Sequence, residues 1–130
     1  MKFSELKITR QFIDPLTEKG IVEATEIQRK AIPVILAGTD VVGIAQTGTG
    51  KTLAYLLPIV LKIKYAQGTD PRALILVPTK ELVIQIEKEI AMLVAQTDLR
   101  WVALYGGIGP KTQIEKIESI KEKPLNITEN

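Results

Sequence analysis

A short stretch in the first half of the chain carries the residue types and the spacing needed to hold a phosphate group. Its members are Ala45, Gln46, Thr47, Gly48, Thr49, Gly50, Lys51 and Thr52. Gly48 and Gly50 allow backbone conformations that a side chain would forbid, so several N–H groups can point at one anion. Lys51 adds a mobile charge for the β and γ phosphates of a nucleotide, and the Thr52 hydroxyl can ligate Mg²⁺. The stretch therefore predicts a phosphate-binding loop.

Such a loop must lie between the end of a strand and the start of a helix. The apolar run at residues 41–45 predicts a short buried strand over residues 40–45. Residues 51–66 predict a helix bent by Pro58, and its positive end would face the same anion. The strict loop pattern has glycine where this chain has Ala45. The alternative interpretation is an ordinary glycine-rich turn with a surface lysine.

The rest of the chain alternates between helical and strand-like patterns. Apolar spacing and terminal glycines predict further helices over residues 8–19, 25–37, about 79–96 and about 110–121. Apolar runs predict further strands over residues 73–77 and 101–105, and a surface turn is expected over 67–71. Strands that alternate with helices imply an α/β fold, with a mostly parallel sheet flanked by helices and right-handed crossovers.

Composition limits the chemistry that this chain can perform. Its 130 residues suit one domain, and 17 Lys and Arg against 15 Asp and Glu leave a net charge of +2. That charge is too small to indicate nucleic-acid binding by itself. The sequence has no Cys and no His, which excludes Ser-His and Cys-His nucleophiles and zinc–cysteine sites. The N-terminus lacks a signal-peptide pattern, and the apolar run 53–61 is about half a membrane span, so a cytoplasmic location without a membrane segment is predicted.

Other segments occur at characteristic positions around the loop. Residues 20–28 read Gly-Ile-Val-Glu-Ala-Thr-Glu-Ile-Gln and are preceded by Phe3. Residues 78–85 read Pro-Thr-Lys-Glu-Leu-Val-Ile-Gln, and a glycine pair follows at 106–107. In this order and spacing the set resembles the first RecA-like domain of DEAD-box ATP-dependent RNA helicases. The resemblance extends over residues 3–119.

This resemblance implies that ATP and Mg²⁺ bind at Ala45–Thr52. The family usually has alanine at the first position of its phosphate loop, which accounts for Ala45. Lys51 and Thr52 would be the catalytic residues of the loop, with Thr52 as the Mg²⁺ ligand.

The resemblance also implies an adenine site ahead of the loop. Gln28 matches a glutamine that reads the adenine edge, so it would select ATP over GTP. Phe3 matches an aromatic residue that packs near the adenine, and Thr25 belongs to the same motif. Where the family usually has proline this chain has Ala24, so the start of the helix is less rigid. The alternative is a capping box, in which Thr25 and Gln28 only stabilise the helix start.

A second set of residues is implied to contact RNA. Pro78, Thr79 and Lys80 match a motif that touches the RNA backbone, and Lys80 replaces the usual arginine. Lysine keeps the charge and loses the planar fork of donors. Gly106 and Gly107 match a glycine pair that lets RNA approach the backbone closely. The alternatives are that Thr79 only caps its helix and that the glycines only end a strand.

Several parts of the family pattern are absent from this sequence. It has no Asp-Glu-Ala-Asp, Thr-Pro-Gly-Arg or Ser-Ala-Thr motif and no second RecA-like domain. We expect residues 1–119 to form a first RecA-like domain that is incomplete at its C-terminal end, and residues 120–130 to form a polar tail. Such a chain would bind ATP and RNA weakly without hydrolysis, and an unpaired sheet edge would favour self-association. The alternatives are another P-loop NTPase, such as a DNA helicase or a nucleotide kinase, and a stand-alone nucleotide- or RNA-binding module.

Overall fold

Helices dominate the computed structural model, which describes residues 1–63, 68, 70–107 and 109–122. Within these residues a short 3₁₀ helix, Phe3–Leu6, precedes the α-helices. The α-helices are α1 Arg10–Glu18, α2 Glu26–Leu36, α3 Lys51–Ile63, α4 Lys80–Leu93 and α5 Pro110–Glu122. Each lies where the apolar spacing predicts a helix, so these predictions are confirmed. Residues 64–66, parts of the predicted turn at 67–71 and tail residues 123–130 lie outside the described residues.

Local signals set the ends of α2 and allow proline inside the helices. Thr25 is the N-cap of α2, and its Oγ1 accepts a hydrogen bond from the Gln28 backbone N at 3.4 Å. Beyond the other end, Gly38 has φ +90°, a conformation that suits glycine after a helix. Pro15 and Pro58 lie buried inside α1 and α3 without ending either helix.

The hydrophobic core lies between these helices. α2 packs along α3, and α4 packs against both α1 and α3. The side chains that are at most 1% exposed include Phe3, Phe12, Leu16, Ile32, Leu56, Leu57 and Leu93. Fully burying one such side chain contributes about 1.5–3 kcal/mol. Because α3 supplies much of this core, the start of α3 has a fixed position.

The predicted strands do not pair with one another. Residues 40–45, 73–77 and 101–105 have no regular secondary structure, and no backbone hydrogen bond joins two of them within the described chain. A strand needs a neighbouring strand to satisfy its N–H and C=O groups, and the described residues supply none. The expected parallel sheet is therefore not confirmed. An isolated antiparallel bridge joins Lys2 and Glu23 instead.

Side chains in two of these segments include strongly exposed apolar residues. Leu74 and Leu76 are 80% and 83% exposed, whereas Ile75 and Val77 between and after them pack against the core. Val42 and Ile44 are 90% and 91% exposed. Alternation with a period of two residues is typical of a strand with one covered face. We refer to Val42, Ile44, Leu74 and Leu76 as the open apolar residues.

Among the described residues, no helix combines the length and apolar content that crossing a membrane requires.

Candidate nucleotide-binding site

The predicted phosphate loop turns sharply just ahead of α3. Gly48 has φ +85° and Gly50 has φ +86°, conformations that other residues rarely adopt. A Cβ atom added at Gly48 would have no neighbour within 4 Å, so this side of the loop is open. A Cβ atom at Gly50 would overlap Gln28 Nε2 and lie 3.0 Å from Thr25 Oγ1. Glycine is therefore required at position 50 both by the backbone and by its neighbours.

The groups that would meet a phosphate are held by carbonyl groups of the loop itself. Lys51 is the first residue of α3, and its exposed Nζ donates a hydrogen bond to the Ala45 carbonyl. Thr49 Oγ1 donates to the Gln46 carbonyl at 2.5 Å. An ammonium group at the amino end of a helix attracts anions, as do the free N–H groups of the first turn. With the open space at Gly48, these residues fit the phosphates of a nucleotide.

Gln28 connects the first turn of α2 to the phosphate loop. Its side chain is 2% exposed, and its Nε2 donates to the Gly50 carbonyl at 3.0 Å. Its Oε1 accepts from the Thr25 backbone N at 2.8 Å, which completes the capping box. Both ends of the amide are thus bonded within the protein. The capping interpretation is confirmed, and contact between Gln28 and adenine stays a prediction.

Phe3 lies in the core close to the chain that leads to α2. Its ring is 1% exposed, and its backbone N donates to the Val22 carbonyl at 3.1 Å. Ala24 N donates in turn to the Met1 carbonyl at 2.9 Å. The N-terminal residues therefore hold the segment just before Thr25. That Phe3 packs near adenine remains a prediction, because its ring contacts other core side chains in this structure.

A cleft of about 470 Å³ opens between the start of α2 and the loop. Its lining consists of Thr25, Glu26, Ile27, Lys30, Ile44, Ala45 and Thr49. Lys30 Nζ lies 2.8 Å from Glu26 Oε1, and this hydrogen-bonded ion pair lowers the pKa of the Glu26 carboxyl. Both partners are largely exposed, so the pair contributes little to stability. The volume falls in the range of small-molecule sites, and the lining joins the predicted adenine and phosphate segments.

Tyr55 on α3 and Glu89 on α4 are two partly buried titratable residues that the sequence patterns did not indicate. Burial raises the pKa of the Tyr55 phenol, a side-chain hydrogen bond with Thr52 lowers it, and the Glu89 carboxylate raises it. Burial also raises the pKa of the Glu89 carboxyl. The Glu89 Oε2 atom is buried and has no hydrogen-bond partner. No sequence pattern indicated the burial of Glu89, since a glutamate on an amphipathic helix usually faces solvent.

The predicted RNA-binding residues at the start of α4 are exposed and partly engaged. Thr79 Oγ1 accepts a hydrogen bond from Leu82 N at 3.2 Å, which confirms that Thr79 caps α4. Lys80 Nζ lies 5.4 Å from the centroid of the Tyr105 ring, within cation–π range. Pro78 is exposed as well. RNA contact by these residues stays a prediction.

The glycine pair lies directly after Tyr105 and therefore close to Lys80. Gly106 and Gly107 are exposed, and a Cβ atom at either would meet nothing within 4 Å. Tyr105 N donates to Gln113 Oε1 at 2.9 Å, so α5 holds the segment ahead of the pair. Both predicted RNA segments consequently meet on one exposed surface.

Comparison with known proteins places this chain in a family. The model of the DEAD/DEAH box helicase family matches residues 25–128. The chain belongs to this family. ATP-dependent RNA helicase RhlB of Aliivibrio salmonicida is 44% identical over 124 residues, which are 91% of this DEAD-box chain and 29% of that relative. DEAD-box ATP-dependent RNA helicase CshC of Bacillus cereus is 45% identical over 114 residues, 87% of the chain and 29% of the relative. The chain thus spans under a third of the length of these curated relatives.

Solved structures show the same relationship. A DEAD box protein from the hyperthermophile Methanococcus jannaschii superposes with a TM-score of 0.79 at 32% identity, over 90% of this chain and 32% of that one. The RNA helicase Prp28 from Chaetomium thermophilum, bound to ADP, superposes with a TM-score of 0.82 at 36% identity, over 93% of this chain and 30% of that one. The predicted family and RecA-like fold are confirmed.

Proposed function

We propose that this DEAD-box chain is the ATP-binding part of an ATP-dependent RNA helicase. The observation that carries the proposal is the geometry of Ala45–Thr52, where left-handed glycines, an ammonium group and a helix start converge. Lys51 would leave the Ala45 carbonyl for the nucleotide phosphates. Thr52 would hold the accompanying Mg²⁺, which supplies positive charge to the phosphates when it is bound.

Base selection would depend on Gln28. Adenine presents a donor at N6 and an acceptor at N7, and the two ends of an amide match that pair. Guanine presents acceptors at both O6 and N7, so the same amide orientation cannot satisfy it. Gln28 would exchange its bond with the Gly50 carbonyl for the adenine edge. Thr25 would keep the helix start in place, and Phe3 would support the base from the core side.

RNA would lie across the exposed surface formed by Pro78–Lys80 and the glycine pair at 106–107. Lys80 supplies a positive charge, and the free N–H groups at the start of α4 suit a phosphate. The open space around both glycines leaves room for a backbone to approach. Such a short contact would bind RNA weakly.

Residues 1–119 would form a partial first RecA-like domain, with a mostly parallel sheet that is incomplete at its C-terminal end. The Asp-Glu-Ala-Asp carboxylates that hold Mg²⁺ and position water in the family are absent from this sequence. We therefore propose that the chain binds ATP weakly and does not hydrolyse it. A cytoplasmic location, a separate tail at 120–130 and self-association remain predictions from the sequence.

Titration with fluorescent ATP and GTP analogues in the presence of Mg²⁺ tests this function. We expect the wild type to prefer ATP and Gln28→Ala to lose that preference. Lys51→Ala should weaken ATP binding at least about tenfold, since a charged hydrogen bond contributes about 1.5–3 kcal/mol. Lys62→Ala, at the far end of α3, is the matched control and should bind like the wild type.

Two outcomes would contradict the proposal. Unchanged ATP affinity in Lys51→Ala would show that the loop does not hold the phosphates. Equal affinity of the wild type for ATP and GTP would contradict the proposed role of Gln28 in base selection.

A further inference from the structure

We propose that Tyr105 is a positioning residue for RNA binding, whose ring holds the Lys80 ammonium group beside the glycine pair at 106–107. This inference rests on the proposed function, because it concerns the same RNA surface. Tyr105 lies outside both segments whose pattern predicts RNA contact. Its role follows from the contact between its ring and Lys80, and from the hydrogen bond that holds its backbone to α5.

The position of the Lys80 charge is set by an aromatic ring. Lys80 is exposed and is the first residue of α4, and its Nζ lies 5.4 Å from the centroid of the Tyr105 ring. This distance is inside the limit of about 6 Å for a cation–π contact. In the part of the chain that the structure describes, no carboxylate pairs with Lys80. A lysine side chain otherwise takes many rotamers, so the contact with the ring limits where its charge lies.

Tyr105 is in turn held by α5. Its backbone N donates a hydrogen bond to Gln113 Oε1 at 2.9 Å, and Gln113 is half-buried on α5. Tyr105 is also half-buried, whereas the next two residues, Gly106 and Gly107, are exposed. A charge that rests against the Tyr105 ring therefore lies close to the glycine pair.

The glycine pair supplies the second half of a phosphate contact. Gly107 has φ +93°, and a Cβ atom added at Gly106 or Gly107 would meet nothing within 4 Å. A phosphate of RNA can therefore approach the backbone of the pair while it meets the Lys80 ammonium group. An ammonium group has three N–H donors, so one that points at the ring leaves two for the phosphate.

The cation–π contact compensates for what lysine lacks at this position. Arginine would present a rigid planar fork of donors, whereas lysine presents one charge on a flexible stem. If Tyr105 already holds the stem of Lys80 before RNA arrives, less conformational freedom is lost on binding, and the affinity is higher. The ring thus acts on RNA through Lys80 and makes no contact with a base.

Titration of the isotope-labelled chain with a short oligouridylate, followed through the amide signals of Gly106 and Gly107, measures this coupling. We expect Tyr105→Leu to weaken RNA binding about two- to fivefold, which corresponds to an exposed cation–π contact. Tyr105→Phe keeps the ring face and should bind like the wild type. In a Lys80→Ala background, Tyr105→Leu should cause no further loss, because its partner is gone. Lys62→Ala, an exposed charge at the far end of α3, is the matched control and should bind like the wild type.

The salt dependence of the same titrations separates positioning from stacking. A loss that acts through the Lys80 charge should shrink as the salt concentration rises, because salt screens the contact with the phosphate. Stacking of a base on Tyr105 would give a loss that salt does not change. We therefore expect the difference between the wild type and Tyr105→Leu to be largest at low salt.

Several outcomes would overturn the inference. Wild-type affinity in Tyr105→Leu would show that the ring does not position Lys80. Equal losses from Tyr105→Leu with and without Lys80, or a loss that salt does not change, would show that the ring acts by stacking or only on the fold. RNA binding that Lys80→Ala does not weaken would overturn the inference and leave the RNA surface standing. No response of the glycine signals to RNA in the wild type would overturn both, and would leave the proposed ATP site untouched.

Discussion

At the scale of single residues, the side chain of Gln28 makes two kinds of contact. Its Oε1 completes the capping box with Thr25, and its Nε2 reaches the Gly50 carbonyl. A residue at the start of α2 thereby fixes the backbone just ahead of α3. Because the side chain is 2% exposed, water cannot readily replace either bond. A change in the position of Gly50 would therefore alter this hydrogen bond at the start of α2.

We predict that Gly50→Ala destabilises the chain more than Gly48→Ala. Both glycines have φ near +85°, so both alanine variants should lose about 1–2 kcal/mol from backbone strain. At Gly50 the added Cβ atom would also displace Gln28 Nε2, which should cost about 1 kcal/mol more. Urea unfolding measures the two free energies, and Gly48→Ala is the matched control. Equal losses would mean that the Gln28 bond does not contribute to stability.

At the scale of secondary structure, local signals predicted the helices well. The ends of α2 follow from the cap at Thr25 and the glycine at 38, and both act within a few residues. The strands could not be predicted as securely, because pairing depends on neighbours far along the chain. Residues 73–77 have the apolar pattern of a central strand and no partner among the described residues.

The candidate site was likewise predicted only in part, because some of its contacts join residues that are far apart along the chain. The loop residues and Gln28 form recognisable sequence patterns, and the structure brings them into contact. The bond between Gln28 and Gly50 spans 22 residues, so no local pattern could indicate it. Tyr55 lies on α3 and Glu89 on α4, and side-chain spacing within one helix cannot show that these two helices pack together.

Thr79 is a predicted RNA contact that also caps α4, so its contribution to the stability of the helix can be measured. Its hydroxyl caps α4, so Thr79→Ala should lower the free energy of unfolding by about 1 kcal/mol. Thr79→Ser keeps the hydroxyl and should retain most of that stability. Urea unfolding of both variants without RNA provides the measurement. An unaltered stability of Thr79→Ala would mean that the cap contributes nothing and would leave RNA contact as the reason for threonine here.

At the scale of the whole molecule, we expect the open apolar residues to affect how the chain behaves in solution. Val42, Ile44, Leu74 and Leu76 are each at least 80% exposed. Exposed apolar side chains beside unpaired backbone groups favour association between chains. The net charge of +2 gives little repulsion to oppose it.

We predict that replacing all of the open apolar residues by threonine reduces self-association without lowering stability. Threonine has the β-branched shape suited to a strand, and the replaced side chains are strongly exposed. Light scattering during size-exclusion chromatography over a range of concentrations gives the mass, and urea unfolding gives the stability. The matched control, Ile75→Thr with Val77→Thr, changes half-buried residues and should lower stability. A wild type that stays monomeric at high concentration would contradict the prediction.

The hydrogen bond between Lys51 and the Ala45 carbonyl has a kinetic consequence. In this structure one of the three N–H donors of the ammonium group is bonded to the loop, so the Ala45 carbonyl competes with a nucleotide for Lys51. An incoming nucleotide can engage all three donors only in molecules where this bond has broken. The apparent dissociation constant is then the intrinsic constant divided by the open fraction. If this bond breaks before the nucleotide binds, the observed association rate should level off at high nucleotide concentration. The limiting value would be the rate at which the bond between Lys51 and the Ala45 carbonyl breaks.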